Sequence, residues 1–158
     1  MTPFQCIPID ATVAAQFRTG QDARGNAIRR MVAADGRGFP CRHCLHYAAD
    51  GEEVLLGSYD LSRPQGVYWT PSPIFMHAEP CGPFVAHSEV APIVRLNGLV
   101  SVRAYDAADQ CLYDLGEVCT GAEVDAPLQR ALTDQRTSFV NIHTARPGCF
   151  LCRVERLA

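Results

Sequence analysis

The sequence predicts a single-domain α+β protein, dominated by an antiparallel β-sheet and carrying two or three short helices. The chain has 158 residues, of which 47% are apolar and 20% charged, a size and composition typical of one globular domain with its own core. Its apolar segments are short and are bounded by turn-forming residues, which is typical of strands joined by turns. We find no internal repeat, linker or low-complexity tract in the sequence, so residues 1–158 are expected to form one domain.

The first elements of the chain are a strand and a helix. Residues 4–9 alternate loosely between apolar and polar side chains and predict a short strand. Asp10 can cap a short helix over residues 12–18, whose apolar side chains share one face. Residues 27–34 fit a helix and a strand equally well.

Two hairpins are predicted further along. Residues 40–47 and 52–59 are both strand-like, and the Asp-Gly step between them is a strong hairpin signal. Residues 99–106 and 111–119 form the clearest second hairpin. Together these segments make the antiparallel sheet the main element of the predicted fold.

The remaining elements are short strands and one helix. Residues 67–69 and 74–77 predict short strands in a proline-rich part of the chain. Residues 123–133 give the best helical pattern, with a proline that is tolerable only in the first turn. Residues 139–143 and 149–156 predict two final strands joined by a turn.

Charge and hydropathy exclude several classes of function. The net charge of −3 and the pI near 5.9 give no basic face for nucleic acid. No apolar run reaches the roughly 18 residues of a membrane span, and the N-terminal residues lack the pattern of a signal peptide, so we expect a cytoplasmic protein. All 14 basic residues are arginine, which excludes a phosphate-loop lysine or a Schiff-base lysine.

The eight cysteines are the main candidates for chemistry, because a cytoplasmic chain of this size keeps its thiols reduced. Cys41-x2-Cys44 followed by His77-x3-Cys81 has the ligand count of a zinc site with three cysteines and one histidine. Such a site requires a tight turn at the first pair. If residues 40–47 instead form a strand, Cys41 and Cys44 lie on opposite faces, roughly 10 Å apart. The strand-like flanks and the absence of a glycine favour the strand, and zinc remains the alternative.

A second alternative is a cysteine-dependent enzyme. Cys81 lies in a Pro/Gly-rich segment beside His77 and Glu79. In this hypothesis, Cys81 is the nucleophile and His77 its base. Inert loops often share this spacing, so the pattern alone assigns no catalytic residue.

A third group of residues suggests recognition of a small anion. If residues 102–106 are extended, Arg103 and Tyr105 share one face of a strand. Asn141 and His143 share a face of a later strand, which Arg153 could join. The alternative is a solvated sheet face with ordinary cross-strand pairs.

Five stretches of the chain carry a resemblance to a known family, and they are GFPCRHCL at 38–45, GEEVLLGSY at 51–59, SPIFMHAEPC at 72–81, VRAYDA at 102–107 and PGCFLCRVERLA at 147–158. With these residues the chain resembles a family of small bacterial proteins labelled "domain of unknown function 1203". The resemblance implies that the whole chain is one member domain, bacterial and cytoplasmic. It implies no activity, substrate or catalytic residue.

The leading functional interpretation is therefore a small binding or accessory protein with an unknown small-molecule ligand. Its polar site is expected near His43, His77, Glu79 and Cys81. The zinc protein using Cys41, Cys44, His77 and Cys81, and the enzyme based on Cys81, are the alternatives. A homodimer that pairs through a sheet edge or face is compatible with the sequence.

Overall fold

The computed structural model describes residues 1–36 and 38–158, and it confirms the α+β class with antiparallel sheets. Within this part of the chain, eight strands and three helices occur in the order β1 (Phe4–Ile7), α1 (Ala11–Arg18), β2 (Arg29–Val32), β3 (Glu53–Asp60), β4 (Pro71–His77), α2 (Pro92–Arg95), β5 (Val100–Tyr105), β6 (Glu117–Cys119), α3 (Asp125–Thr133), β7 (Phe139–Thr144) and β8 (Phe150–Arg156). None of the described helices has the length and apolar character needed to cross a membrane.

The larger sheet has five antiparallel strands in the order β1-β8-β7-β5-β6. One of its faces is covered by α2 and α3, and the buried residues between this face and the two helices form the main core of the protein. Alternate residues of β5 (Val100, Val102 and Ala104) point into this core. Helix α3 contributes Leu128 and Leu132 to the same core. The predicted pairing of β5 with β6 and the predicted C-terminal pair of β7 with β8 are both confirmed. Strand β6 covers only the end of the predicted segment 111–119, because Tyr113–Leu115 form a helical turn.

The smaller sheet has three antiparallel strands in the order β2-β3-β4, and α1 packs against it. The Asp10 carboxylate accepts a hydrogen bond from Thr12 N at 2.8 Å, which confirms the predicted helix cap. The two sheets meet at Phe150, whose backbone N–H donates to Ser72 Oγ at 2.9 Å. The ambiguous segment 27–34 contains strand β2.

Three local predictions are wrong. Residues 40–47 form a tight turn rather than a strand, because Leu45 adopts a φ of 57° that reverses the chain. Strand β3 pairs with β2 and β4, not with residues 40–47. Residues 67–69, predicted as a strand, overlap a single helical turn at Gly66–Tyr68. A local pattern of alternating apolar residues does not specify which segment a strand pairs with, and that choice is made by tertiary packing.

Candidate metal centre

The first pair of cysteines lies in the tight turn of residues 40–47. Cys41 N donates to His46 O at 2.9 Å, and Leu45 N donates to Cys41 O at 3.0 Å. A left-handed conformation is unfavourable for a leucine, but the Leu45 side chain is fully buried in the main core. Burial of that side chain offsets the backbone strain. The turn places Cys41 and Cys44 on the same side of the chain.

The second pair lies at the end of β4 and in the loop that follows. Arg42 N donates to Phe75 O at 3.1 Å, so the turn is docked beside β4. The Arg18 side chain, from the end of α1, donates to the carbonyl oxygens of His77, Ala78 and Glu79 at 2.8–3.4 Å. These three hydrogen bonds hold the loop in the conformation that turns Cys81 back toward the first pair.

The four side chains converge. Cys41, Cys44, His77 and Cys81 each offer one ligand atom, and these atoms all lie within 4.8 Å of one another. Cys41 Sγ is 3.8 Å from Cys81 Sγ, and Cys44 Sγ is 3.5 Å from His77 Nδ1. Zinc bonds of about 2.0–2.3 Å in a tetrahedron imply ligand separations of about 3.3–3.8 Å. The two measured distances fall in this range.

The polar surroundings favour a thiolate at Cys41. Its Sγ accepts a hydrogen bond from His77 N at 3.4 Å, and its side chain is fully buried. Hydrogen bonding from the Cys44 thiol, with a further contribution from His77, lowers the pKa of Cys41 well below its usual value. The thiolate, and not the thiol, is the form that binds a metal.

A buried arginine, Arg42, lies beside the cluster formed by Cys41, Cys44, His77 and Cys81. Arg42 is 2% exposed, and its guanidinium donates to Phe150 O at 2.8 Å and to Pro40 O at 2.7 Å. Burial lowers the pKa of Arg42 to about 10, and the Cys149 and Cys41 sulfurs oppose this decrease. Among the residues that the structure describes, no carboxylate lies within salt-bridge distance of Arg42.

The second nitrogen of His77 faces a carboxylate. Glu52 Oε2 lies 3.3 Å from His77 Nε2, and it also accepts a hydrogen bond from Ala49 N at 2.7 Å. A carboxylate in this position keeps the proton on Nε2 and leaves Nδ1, which faces Cys44, as the ligand atom. This is the usual arrangement around metal-bound histidines.

The other predicted site residues are divided between different places. Glu79 is exposed in the loop before Cys81, and it lines one cavity together with His77 and Cys81, as expected from the sequence. His43 is buried with Nδ1 2.6 Å from Ile9 O, and it lines a separate cavity with Tyr59 and Arg153. Arg103, Tyr105 and His143 line a common cavity at the larger sheet. The predicted grouping of His43 with His77 is therefore not what the fold produces.

Three residues that support the cluster were missed in the sequence, namely Arg18, Arg42 and Glu52. Arginine and glutamate are usually exposed, so nothing local marked Arg42 as buried. The segment GEEVLLGSY gave no sign that Glu52 would face His77, because the contact depends on the pairing of β3 with β4.

His143 provides a test of burial at the larger sheet. Burial, with the nearby Arg103 guanidinium, lowers the pKa of His143 to about 4, whereas an unfolded histidine has a pKa near 6.5. The unfolded chain therefore takes up the proton first as the pH falls. The resulting contribution to stability is present above about pH 6.5 and lost toward pH 4.

Between pH 6.5 and pH 4, we expect urea titrations to show that His143 lowers the free energy of unfolding by roughly 3 kcal/mol. His143→Gln should remove this part of the pH dependence, while the exposed His87→Gln should leave it unchanged. An identical pH dependence in His143→Gln and wild type would show that His143 is not the group responsible.

Fold and site together define an α+β domain of two antiparallel sheets, with a cluster of three cysteines and one histidine at the smaller sheet. The chain belongs to the family described as "Protein of unknown function (DUF1203)", whose model matches residues 38–156. The matched segment contains all four residues of the cluster, and it confirms the resemblance seen in the sequence. No curated protein and no solved structure matches the chain.

Proposed function

We propose that the protein binds one zinc ion through Cys41, Cys44, His77 and Cys81, and that the ion has a structural role. The convergence of these four ligand atoms within 4.8 Å carries the proposal. Thiolate and imidazole ligands in a tetrahedron favour zinc over magnesium or calcium, which take oxygen ligands. Four protein ligands leave no open position for water or substrate, which is typical of structural zinc rather than catalytic zinc.

Charge balance supports the proposal. A zinc ion with three thiolates and one neutral imidazole carries a net charge of −1. Arg42 supplies one buried positive charge beside Cys41, and a buried charge without a partner is strongly unfavourable. The zinc-loaded cluster and Arg42 together would be neutral.

The contacts around Cys81 favour the zinc proposal over the cysteine enzyme. Burial and the neighbouring Cys41 raise the pKa of Cys81, whereas an activated nucleophilic cysteine has a lowered pKa. The two ring nitrogens of His77 face Cys44 and Glu52. Within the cluster, Cys41 is the thiol with a lowered pKa, and it is fully buried and out of reach of a substrate.

A structural zinc is also consistent with a small binding or accessory protein. The ion would join the turn at residues 40–47 to the end of β4, and the same turn contacts the larger sheet through Arg42 and Phe150. Zinc would thereby fix the two sheets relative to each other. A rigid scaffold of this kind positions binding residues elsewhere on the fold.

Metal content tests the proposal. Elemental mass spectrometry of untagged protein, purified without chelator, should give about one zinc per chain. Cys44→Ser and Cys81→Ser should each lose most of the zinc, because three remaining ligands bind it much more weakly. Cys119→Ser removes a half-buried thiol outside the cluster and should keep the full zinc content. Wild-type protein without zinc, which also fails to take up added zinc, would contradict the proposal.

Glu52 is expected to tune the affinity of the site. Glu52→Gln should weaken zinc binding about 10-fold, because the carboxylate that orients His77 is lost. A competition titration with a chromophoric chelator measures the affinity. The control is Glu53→Gln, since Glu53 is equally exposed but pairs with Arg30 instead. Equal effects of the two variants would show that Glu52 has no specific role at the site.

A further inference from the structure

We propose that a cavity at the larger sheet binds a small aromatic carboxylate, with Arg103 as the group that holds the carboxylate. The cavity has a volume of about 610 Å³ and lies against the sheet face opposite α3, a size suited to one small organic molecule. Ser101 and Arg103 of β5 form its floor, together with His143, which pairs with Ser101 across the strands. The site belongs to a different sheet from the metal cluster and does not depend on zinc.

Arg103 gives the cavity its positive charge. Its Nε donates to Ser101 Oγ at 3.2 Å, and no carboxylate in the described part of the chain lies within salt-bridge distance of it. Glu117 also lines the cavity, but its carboxylate is paired with Arg130 at 2.6 Å. One guanidinium is thus left without an acidic partner, and its planar fork matches a carboxylate.

Tyrosines form the walls of the cavity. The ring of Tyr68 lies edge-on to Tyr105 and Tyr113, with centroid distances of 6.3 and 6.1 Å. Tyr68 and Tyr113 also share a hydrogen bond between their hydroxyl groups at 2.7 Å. Tyr113 is 75% exposed, and the neighbouring Val67 is 85% exposed. A planar aromatic ligand would cover this exposed apolar surface and stack or pack edge-on against the rings.

His143 lines the cavity beside Arg103 without adding positive charge. Its Nδ1 lies 2.9 Å from Gly148 O, and since a carbonyl only accepts, Nδ1 carries the proton. The ring is buried and neutral above about pH 4, so it adds no second cation to Arg103. The unprotonated Nε2 is an acceptor, which would suit a ligand that also carries a hydroxyl group.

The proposal is tested with benzoate and 4-hydroxybenzoate as probes, benzamide as the neutral analogue, and inorganic phosphate as an anion without a ring. Isothermal titration calorimetry on the full chain should show binding of both carboxylates. Benzamide and phosphate should each bind at least about 10-fold more weakly than benzoate. Arg103→Gln should weaken benzoate binding about 10- to 100-fold. Arg29→Gln removes an exposed arginine of the smaller sheet and should leave the affinity unchanged.

A second variant keeps the test decisive if Arg103→Gln does not fold. Tyr113 is largely exposed, so Tyr113→Ala should fold normally and weaken 4-hydroxybenzoate binding by about 5-fold or more. The proposal is overturned if neither carboxylate binds, if benzamide or phosphate binds as well as benzoate, or if every variant that folds binds its probe like wild type. Because the probes report on the cavity and elemental analysis reports on the cluster, either proposal can fail without the other.

Discussion

Cys41→Ser is expected to lower the free energy of unfolding by about 5–6 kcal/mol when free zinc is about 1,000-fold above its Kd, of which about 4 kcal/mol is lost zinc binding and about 1–2 kcal/mol is lost packing. A ligand that binds only the folded state stabilises it by mass action, and the substitution removes this contribution together with the site. Cys41 is fully buried and accepts the His77 N–H, so it contributes to both the metal site and the docking of the turn. Urea unfolding of wild type and variant in a zinc buffer measures the difference.

Chelator separates the metal contribution from ordinary packing. With excess chelator, the difference between wild type and Cys41→Ser should shrink to about 1–2 kcal/mol, the size of a typical core substitution. Cys119→Ser should respond to zinc and to chelator like wild type. A wild-type protein whose unfolding is unaffected by zinc and by chelator would show that no metal contributes to its stability.

Gly121→Ala is expected to destabilise the fold by about 4 kcal/mol or more, at the upper end of single substitutions. An added Cβ would lie 1.9 Å from Val94 O and 2.8 Å from both Arg95 O and Asn97 O. These are backbone atoms at the end of α2, and Gly121 N also donates to Asn97 O at 2.9 Å. Two backbone segments would have to separate to admit one methyl group, because packed interiors contain little free space.

The matched control is Gly116→Ala. A Cβ at Gly116 would meet Tyr113 O at 3.4 Å and Val102 O at 3.9 Å, which are ordinary contacts. The φ of Gly116 is −72°, which alanine adopts without strain. The free energy of unfolding of Gly116→Ala should therefore stay within about 1 kcal/mol of that of wild type. Thermal and urea unfolding of both variants give the comparison. Equal stability of the two would mean that the chain does not approach itself closely at Gly121.

The sequence identified the four members of the cluster, but it did not reveal the turn that brings the first two together. The spacing of Cys41, Cys44, His77 and Cys81 matched zinc ligands without any knowledge of the fold. The turn depends on Leu45 in a left-handed conformation, which is unfavourable locally and is offset by burial in the main core. Tertiary packing of this kind leaves no signature in the eight residues of the turn themselves.

Elements with strong local patterns were predicted well. The cap at Asp10, helix α3, and the hairpin of β5 with β6 follow from side-chain periodicity and turn residues. The pairing of β3 could not be predicted from such local patterns, since an apolar strand can join any sheet edge with a compatible face. The same limit concealed Glu52 and Arg42, whose positions depend on contacts between segments far apart in the chain.

X-ray absorption spectroscopy at the zinc K-edge examines the proposed centre directly, because it reports the atoms bound to the metal. For protein purified without chelator, we expect a four-coordinate zinc with three sulfur ligands at about 2.3 Å and one nitrogen at about 2.0–2.1 Å. Cys81→Ser should lose one sulfur from this shell or lose the metal. A zinc shell dominated by oxygen and nitrogen would contradict binding by Cys41, Cys44, His77 and Cys81.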